Sequence, residues 1–103
     1  MVPYNESLFL IIRKVYMNQK QRKILKSIFK NPIMATIRWD DIENLFIYLG
    51  ADISEGRGSR VRIELNDEEA VFHRPHPHSE TDRGAVKSVR RFLENAGVHY
   101  DEV

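Results

Sequence analysis

The 103-residue chain contains no cysteine, which excludes disulfide bonds and thiolate zinc sites and suits a reducing compartment. It also lacks a long hydrophobic stretch, because the longest apolar run, Leu8 to Ile12, is far shorter than the roughly 20 residues that span a bilayer. The basic residues follow this run rather than precede it, and no small-residue cleavage site is evident, which argues against a secretory signal. We therefore expect a cytoplasmic protein with no membrane partner.

The chain has little net charge, formally +1 at pH 7, but its charges are unevenly distributed. Residues 13–30 contain seven Lys or Arg and no acid. Two further basic clusters are formed by Arg57, Arg60 and Arg62 and, near the C-terminus, by Arg83, Lys87, Arg90 and Arg91. Basic clusters on a near-neutral protein indicate contact with phosphates, since the local field matters more than the total charge. The alternative is that these side chains only keep helix surfaces soluble.

The length fits one domain, which we predict over residues 17–103. Residues 1–16 differ in character, because they contain a short apolar block without a clean amphipathic period. They are either an N-terminal extension upstream of Met17 or a helix that docks through its apolar side chains. The sequence does not decide between these two interpretations.

Apolar spacing predicts three helices in the domain. The first runs from Gln19 to Lys30 and ends at Asn31-Pro32, where proline disfavours further helix. The second runs from about Trp39 to Leu49, with acids in its first turn and Gly50 after its end. The third spans about Asp82 to Ala96, with Lys87, Arg90 and Arg91 predicted on the face opposite its apolar stripe. That stripe consists of Ala85, Val86, Val89, Leu93 and Ala96.

Strand signals lie between the second and third helices. The run "RVRIEL" at 60–65 alternates strictly between apolar and charged residues, and "ND" at 66–67 indicates a hairpin turn into "AVFH" at 70–73. A short strand is predicted at 51–54. The order predicts an α+β fold in which helices cover one face of a three-stranded antiparallel sheet and the other face is open to water or a ligand.

The run "VFHRPHPHSE" from 71 to 80 places His73, His76 and His78 within six residues. Three imidazoles can bind zinc, but Pro75 and Pro77 stiffen the backbone and make their convergence awkward, and no cysteine or well-placed carboxylate completes the set. We therefore expect no metal and no cofactor.

Proton transfer is the second interpretation of these histidines. Histidine acts as a general base or acid near neutral pH, and cleavage of RNA needs a base, an acid and cations that hold the phosphate. If Phe72 points into the core, His73 projects onto the open face beside Arg60 and Arg62. The alternative, that the histidines only occupy a loop, stays open, and "GRGS" at 56–59 is either a hairpin loop or a backbone approach to phosphate.

Three segments in this order resemble the HicA family of toxin mRNA interferases: "GADISEGRGSRVRIEL", "AVFHRPHP" and "ETDRGAVKSVRRFLENAGV". The resemblance covers roughly Trp39 to Val98. It implies a fold like a double-stranded-RNA-binding domain, here with an extra N-terminal helix at 17–32. It also implies degradation of mRNA and neutralisation by a HicB-like antitoxin encoded beside the toxin.

One departure from the family pattern concerns the catalytic residue. The family usually places a histidine directly after Gly-Ser, whereas Gly58-Ser59 is followed here by Arg60, which cannot act as a base near pH 7. His76 matches the family's second common histidine, and His73 is an addition. Either catalysis has moved to His73 or His76, or this branch binds RNA without cutting it.

The resulting hypothesis is an endoribonuclease that needs no metal, with rivals in a non-cleaving RNA-binding module and an interaction protein whose basic face docks an acidic partner such as the antitoxin. The candidate catalytic residues are His73, His76 and Arg60. The candidate RNA-binding residues are Arg57, Ser59, Arg62, Arg74, Lys87, Arg90 and Arg91.

Overall fold

The structure is a computed structural model that describes residues 17–100. Its helices are α1 (Gln19–Ile28), α2 (Trp39–Tyr48) and α3 (Arg83–Asn95), and its strands are β1 (Asp52–Glu55), β2 (Arg60–Leu65) and β3 (Glu68–His73). The predicted extension at 1–16 lies outside the described residues. Within the part of the chain that is described, no helix is both long enough and apolar enough to cross a membrane.

Side-chain caps explain where two of the helices begin. The Asn18 carboxamide oxygen accepts from the Gln21 backbone N–H at 2.8 Å at the start of α1. The Asp82 carboxylate accepts from the Ala85 N–H, also at 2.8 Å, at the start of α3. Each cap satisfies a donor that has no partner within its own helix, which stabilises such a helix by about 1 kcal/mol.

The strands form one antiparallel sheet in the order β1-β2-β3. Burial alternates strictly along β2, with Val61, Ile63 and Leu65 inside and the charged residues outside. Asn66 and Asp67 form the turn into β3 with φ values of 50° and 67°, a left-handed conformation that these two residue types tolerate. The Asn66 side chain also donates to the Ala96 carbonyl at 2.8 Å, which fixes the hairpin against the end of α3.

The helices pack on one face of the sheet and enclose an aromatic cluster. Phe72 from β3 lies 5.7 Å from Trp39, 6.0 Å from Phe46 and 5.9 Å from Phe92, measured between ring centroids. The Phe72 and Phe92 rings meet edge to face, a favoured arrangement for aromatic pairs. Burial of Phe72 turns the next residue, His73, towards the other side of the sheet.

The architecture confirms the predicted α+β fold of the double-stranded-RNA-binding-domain type, with three helices and an open three-stranded sheet. Two details of α3 differ from the prediction. Phe92 belongs to the core at 5% exposure, although the predicted apolar stripe omitted it. Arg90 does not lie with Lys87 and Arg91 on the outer face, because it is half-buried against α1.

Arg90 holds α1 against α3. Its guanidinium donates to the Ile28 carbonyl at 2.8 Å, to the Lys30 carbonyl at 2.7 Å and to the Asn31 side chain at 3.0 Å. It also lies over the Phe29 ring, 5.8 Å from the centroid. The positive charge therefore meets the carbonyls at the negative end of the α1 dipole.

Loss of this contact should be measurable as a loss of stability. We expect Arg90→Gln to lower the free energy of unfolding by about 2 kcal/mol, because the shorter amide leaves helix-end carbonyls without donors. Arg91→Gln, one residue along and exposed, is the matched control and should change stability by less than about 0.5 kcal/mol. Urea unfolding followed by circular dichroism makes the comparison, and equal midpoints for the two variants would contradict the role given to Arg90.

Candidate functional site

Arg60 and His73 face each other across the β2–β3 ribbon on the open side of the sheet. The two residues are direct register partners, and both are exposed. The Arg74 N–H donates to the Ser59 carbonyl at 2.9 Å, so Ser59 and Arg74 occupy a hydrogen-bonded position and the adjacent Arg60–His73 pair occupies a non-hydrogen-bonded one. Cα atoms at such a position lie only about 4.5 Å apart. The structure thus confirms that an imidazole and a guanidinium stand together on the solvent-facing surface.

The open face is basic at one end and acidic at the other. Arg57 and Arg60 lie at the end formed by the β1–β2 loop, and within residues 17–100 neither is paired with a carboxylate. Acids gather at the opposite end of the face, at Asp52, Glu64 and Glu69. An anionic ligand is therefore attracted to the end of the sheet that carries His73.

Arg62 stands between these two ends. Its guanidinium Nε lies 3.1 Å from a Glu69 oxygen, with the side chains 60% and 49% exposed. An ion pair this exposed contributes little to stability, about 0–1 kcal/mol. Arg62 can therefore exchange Glu69 for a phosphate at small cost.

A groove of about 310 Å³ is lined by Arg60, whereas its register partner His73 does not line it. Its walls come from β1, the β1–β2 loop and the middle of the open face, and they include Arg57, Arg60, Arg62 and the half-exposed Val71. The groove also contains Val61 and the carboxylate of Glu55, which is bound by Arg74. Three guanidiniums beside apolar side chains suit a ligand with phosphates and a flat ring. Arginine is the side chain best matched to phosphate geometry.

The glycines of the 56–59 segment shape the loop at the end of the groove. Gly58 adopts a φ of +63°, and a Cβ on Gly56 would lie 3.0 Å from the Arg60 Cβ and 3.3 Å from its carbonyl oxygen. Gly56 also donates its N–H to that carbonyl at 2.9 Å. The segment is therefore a hairpin loop whose glycines permit close approach to β2. It places Arg57 in the lining of the groove, whereas Ser59 is exposed in the same loop but does not line the groove.

The loop from 74 to 82, which carries His76 and His78, is fixed at its first residue. The Arg74 guanidinium donates twice to the Glu43 carboxylate, at 2.7 and 2.9 Å, and once to Glu55 at 2.6 Å. Glu43 also accepts from the Trp39 indole N–H one helical turn earlier. We call Arg74 and these two acids the Arg74 clamp; it joins β3 to α2 and β1 immediately after His73.

The far end of the same loop pairs with the segment before α2. The Thr81 N–H donates to the Ile37 carbonyl at 2.7 Å, and the Trp39 N–H donates to the Ser79 carbonyl at 2.9 Å. Thr81 is almost fully buried, whereas residues 76–80 are exposed. The loop is thus an exposed arc whose two ends are both attached near the start of α2.

The clamp shifts the pKa values of Arg74 and Glu55 in the directions that strengthen their contact. The hydrogen bonds that Arg74 donates to Glu43 and to Glu55 raise the pKa of Arg74 above its ordinary value, and the same hydrogen bond to Glu55 lowers the pKa of that carboxyl. A carboxyl whose pKa is lowered on folding stabilises the fold above its unfolded pKa. That contribution disappears as the pH falls through the lowered value. The Glu55 contact is therefore complete at neutral pH and is lost in acid.

The remaining predicted site residues are placed differently from one another. His76 is exposed on the arc and makes no hydrogen bond within residues 17–100. Lys87 and Arg91 project from the outer side of α3, in the helical layer, and not from the open sheet face. The guanidiniums of Arg74 and Arg90 donate to protein acceptors. The structure therefore gathers Arg57, Ser59, Arg60 and His73 at one end of the sheet, with Arg62 farther along β2.

The histidine run does not form a cluster of metal ligands in the described part of the chain, where no three His, Asp or Glu side chains come together in a way that would hold an ion. Alternation in β3 sends His73 to the open face, while His76 and His78 lie on the arc beyond Arg74. The three histidines are therefore close in the sequence, but His73 lies on a different part of the surface from His76 and His78.

Sequence reasoning missed the Arg74 clamp. The spacing of Trp39 and Glu43, four residues apart on a predicted helix, was the available signal for their contact. The long-range partners Arg74 and Glu55 gave no such signal, since each looked like an ordinary surface charge. Arg74 was assigned to RNA for that reason.

A comparison with protein families bears on the whole region from α2 to α3. The family model of the HicA toxin of bacterial toxin-antitoxin systems matches residues 39–98, more than half of the chain. The chain belongs to the HicA toxin family. Searches of curated proteins and of solved structures gave no significant match.

Membership of the HicA family makes the protein a toxin of a toxin-antitoxin system and implies an antitoxin partner. The matched region contains the Arg60–His73 pair, the groove, the clamp and α3. Helix α1 lies before the matched region, so its basic surface is an addition to the HicA unit.

Proposed function

We propose that this HicA-family toxin is an endoribonuclease that cleaves mRNA in the cytoplasm, without a metal, and is neutralised by a HicB-like antitoxin. The observation that carries the proposal is the Arg60–His73 pair on the open sheet face, beside a groove lined by arginines. Attack by a ribose 2′-OH on the adjacent phosphate needs a proton acceptor, a proton donor for the leaving 5′-oxygen and stabilisation of the charge on the phosphorane.

The residues at this end of the sheet fit those tasks. His73 accepts the 2′-OH proton or protonates the leaving oxygen, and His76, at the nearby arc, is the candidate for the other role. Arg60 stands opposite His73 and neutralises the charge that develops on the phosphate. Arg57, Arg62 and the Ser59 hydroxyl bind the flanking backbone. Since Arg74 and Arg90 bind protein groups, the proposal assigns neither of them to RNA.

Two chemical properties test this mechanism. We expect the purified chain to cut an RNA oligonucleotide to products with 2′,3′-cyclic phosphate ends, with undiminished rate in EDTA. A matched oligonucleotide with a single 2′-deoxyribose at the cut site should resist cleavage there, because the nucleophile is absent. Gel analysis and mass spectrometry of the products give both results, and cleavage at the deoxy position would contradict the mechanism.

A second candidate function is RNA binding without cleavage. It is favoured by one observation, that Arg60 follows Gly58-Ser59 where the family usually has its histidine. Filter binding that retains RNA without product formation over a long incubation would select this candidate. If the basic end instead serves only to dock the antitoxin, RNA should fail to displace that partner.

Induction in bacteria tests the biological role. We expect expression of the chain alone to stop growth and deplete total mRNA, and coexpression with the neighbouring reading frame to restore both. The His73→Ala chain, which lacks the proposed general base or acid, is the control for toxicity that does not arise from cleavage.

A further inference from the structure

The outer side of α1 carries a concentrated positive charge. Between Gln19 and Lys30 the chain has five basic side chains and no acid, all of them exposed: Lys20, Arg22, Lys23, Lys26 and Lys30. Lys20 lies 3.9 Å from Asp41, a carboxylate of α2, which partly neutralises it. Since α1 precedes the region that matches the HicA family, the family match does not account for this surface.

Two adjoining grooves cross this surface, and both include Lys26 and Tyr100. The larger, of about 370 Å³, is also lined by Phe29, Lys30 and Asn31. The smaller, of about 240 Å³, is also lined by Arg22 and Lys23. The Phe29 and Tyr100 rings are partly buried against the core, which fixes them in place while they line the groove walls. The two grooves thus combine partly buried aromatic rings with exposed cations.

We propose that this α1 surface binds single-stranded RNA, with phosphates held by Arg22, Lys23 and Lys30, a base stacked on the Tyr100 ring, and a second base packed beside the Phe29 ring, over which the Arg90 guanidinium already lies. Basic grooves with aromatic walls are the usual means of binding single strands, because every base offers a face for stacking and every nucleotide carries a phosphate. An acidic protein would use the cations but not the rings. The bases of a duplex, already stacked on each other, could not reach those rings.

This surface would serve as a second contact on the substrate. It lies on the helical layer, whereas Arg60 and His73 lie on the open face of the sheet. The inference rests on the proposed function in taking RNA as the substrate class, and it adds a site that holds RNA without cutting it.

The test measures binding to a single-stranded oligonucleotide with 2′-O-methyl riboses, which cannot be cleaved, by fluorescence anisotropy between about 50 and 200 mM salt. The Lys23→Gln, Lys30→Gln double variant should bind more weakly and lower the slope of log K against log salt by about 1.4, since each single-strand phosphate contact contributes about 0.7. The matched control is Lys20→Gln, Arg38→Gln. It removes the same charge from side chains that lie 3.9 Å from Asp41 and Asp40, and it should keep the wild-type slope.

A second pair of variants tests stacking. Tyr100→Leu should weaken binding on the order of tenfold, whereas Tyr100→Phe, which keeps the ring, should bind as the wild type does. Circular dichroism melting checks that all variants are folded.

Three results would overturn the inference. The first is a wild-type affinity and slope in the Lys23, Lys30 double variant; if that variant also still cleaves RNA, the proposed nuclease stands without this surface. The second is an equal loss in the Lys20, Arg38 control. The third is binding of polyglutamate as tight as that of RNA with the same dependence on Lys23 and Lys30. Conversely, if the chain never cleaves RNA but the double variant shows the predicted slope change, RNA binding at the α1 surface is supported and the endoribonuclease proposal is contradicted.

Discussion

His73→Ala should lower kcat/KM for RNA cleavage by about 10²- to 10⁴-fold, the range expected when a general acid or base is removed. Affinity for uncleavable RNA should change little, because the arginines that bind phosphate remain. His99→Ala is the matched control, since His99 is exposed beyond α3 and has no role in the proposed site. Initial rates of oligonucleotide cleavage, with anisotropy for binding, separate the two quantities.

The position of Arg60 allows a sharper version of this experiment. The resemblance to the HicA pattern predicts a histidine at this position, and Arg60 lies directly opposite His73 across the ribbon. If the imidazole has moved across the ribbon, Arg60→His introduced into the His73→Ala chain should restore part of the lost rate. If Arg60 and His73 did not share one site, Arg60→His would not restore the cleavage rate of the His73→Ala chain. Full activity in a His73→Ala, His76→Ala double variant would remove the assigned chemistry.

Glu43→Ala should lower the free energy of unfolding by about 3 kcal/mol, because it removes the carboxylate at the centre of the Arg74 clamp. The Trp39 indole N–H and two donors of Arg74 then lose their acceptor in a region where the Glu43 side chain is only 16% exposed. The Arg74 side chain is 33% exposed, so water can partly solvate its charge after the carboxylate is removed. The expected loss of stability is therefore at the lower end of the range for a broken buried ion pair.

The matched control for this variant is Asn44→Ala, the exposed neighbour on α2, which should change stability by less than about 0.5 kcal/mol. Glu43→Gln keeps an acceptor for the Trp39 indole N–H but loses the negative charge. The stability of this variant should therefore lie between those of Glu43→Ala and Asn44→Ala. We also expect Glu43→Gln to lower kcat more than it raises KM. The clamp orients His73, which the proposal uses for proton transfer, and it does not orient the arginines that bind phosphate. Equal urea midpoints for Glu43→Ala and Asn44→Ala would contradict the clamp.

Local patterns predicted most of the fold. The strict alternation of 60–65, the Asn66-Asp67 turn and the helix at 83–95 each follow from a few neighbouring residues, and the structure has all of them. The placement of His73 beside Arg60 also followed from alternation, once Phe72 was assigned to the core. Helices, strands and turns that depend on hydrophobic periodicity and on turn residues can thus be predicted from the sequence.

Contacts between distant charges could not be predicted in this way. Arg74 and Arg90 looked like candidates for phosphate binding, but each bonds to groups far away in the sequence: Arg74 to Glu43 and Arg90 to Ile28. An arginine that anchors a loop and one that awaits a ligand have the same local sequence, and only tertiary packing distinguishes them. Phe92 was missed for a related reason, since it packs at the margin of its helix's apolar stripe, where Phe46 and Phe72 extend the core.

Both ends of the exposed arc at 75–80 are attached close to the start of α2, one through Glu43 and the other through Ile37. The distance that the arc spans is therefore set by one rigid helix and not by the arc's own sequence. Insertions or a fluorescent label at His78 should be accommodated without displacing His73.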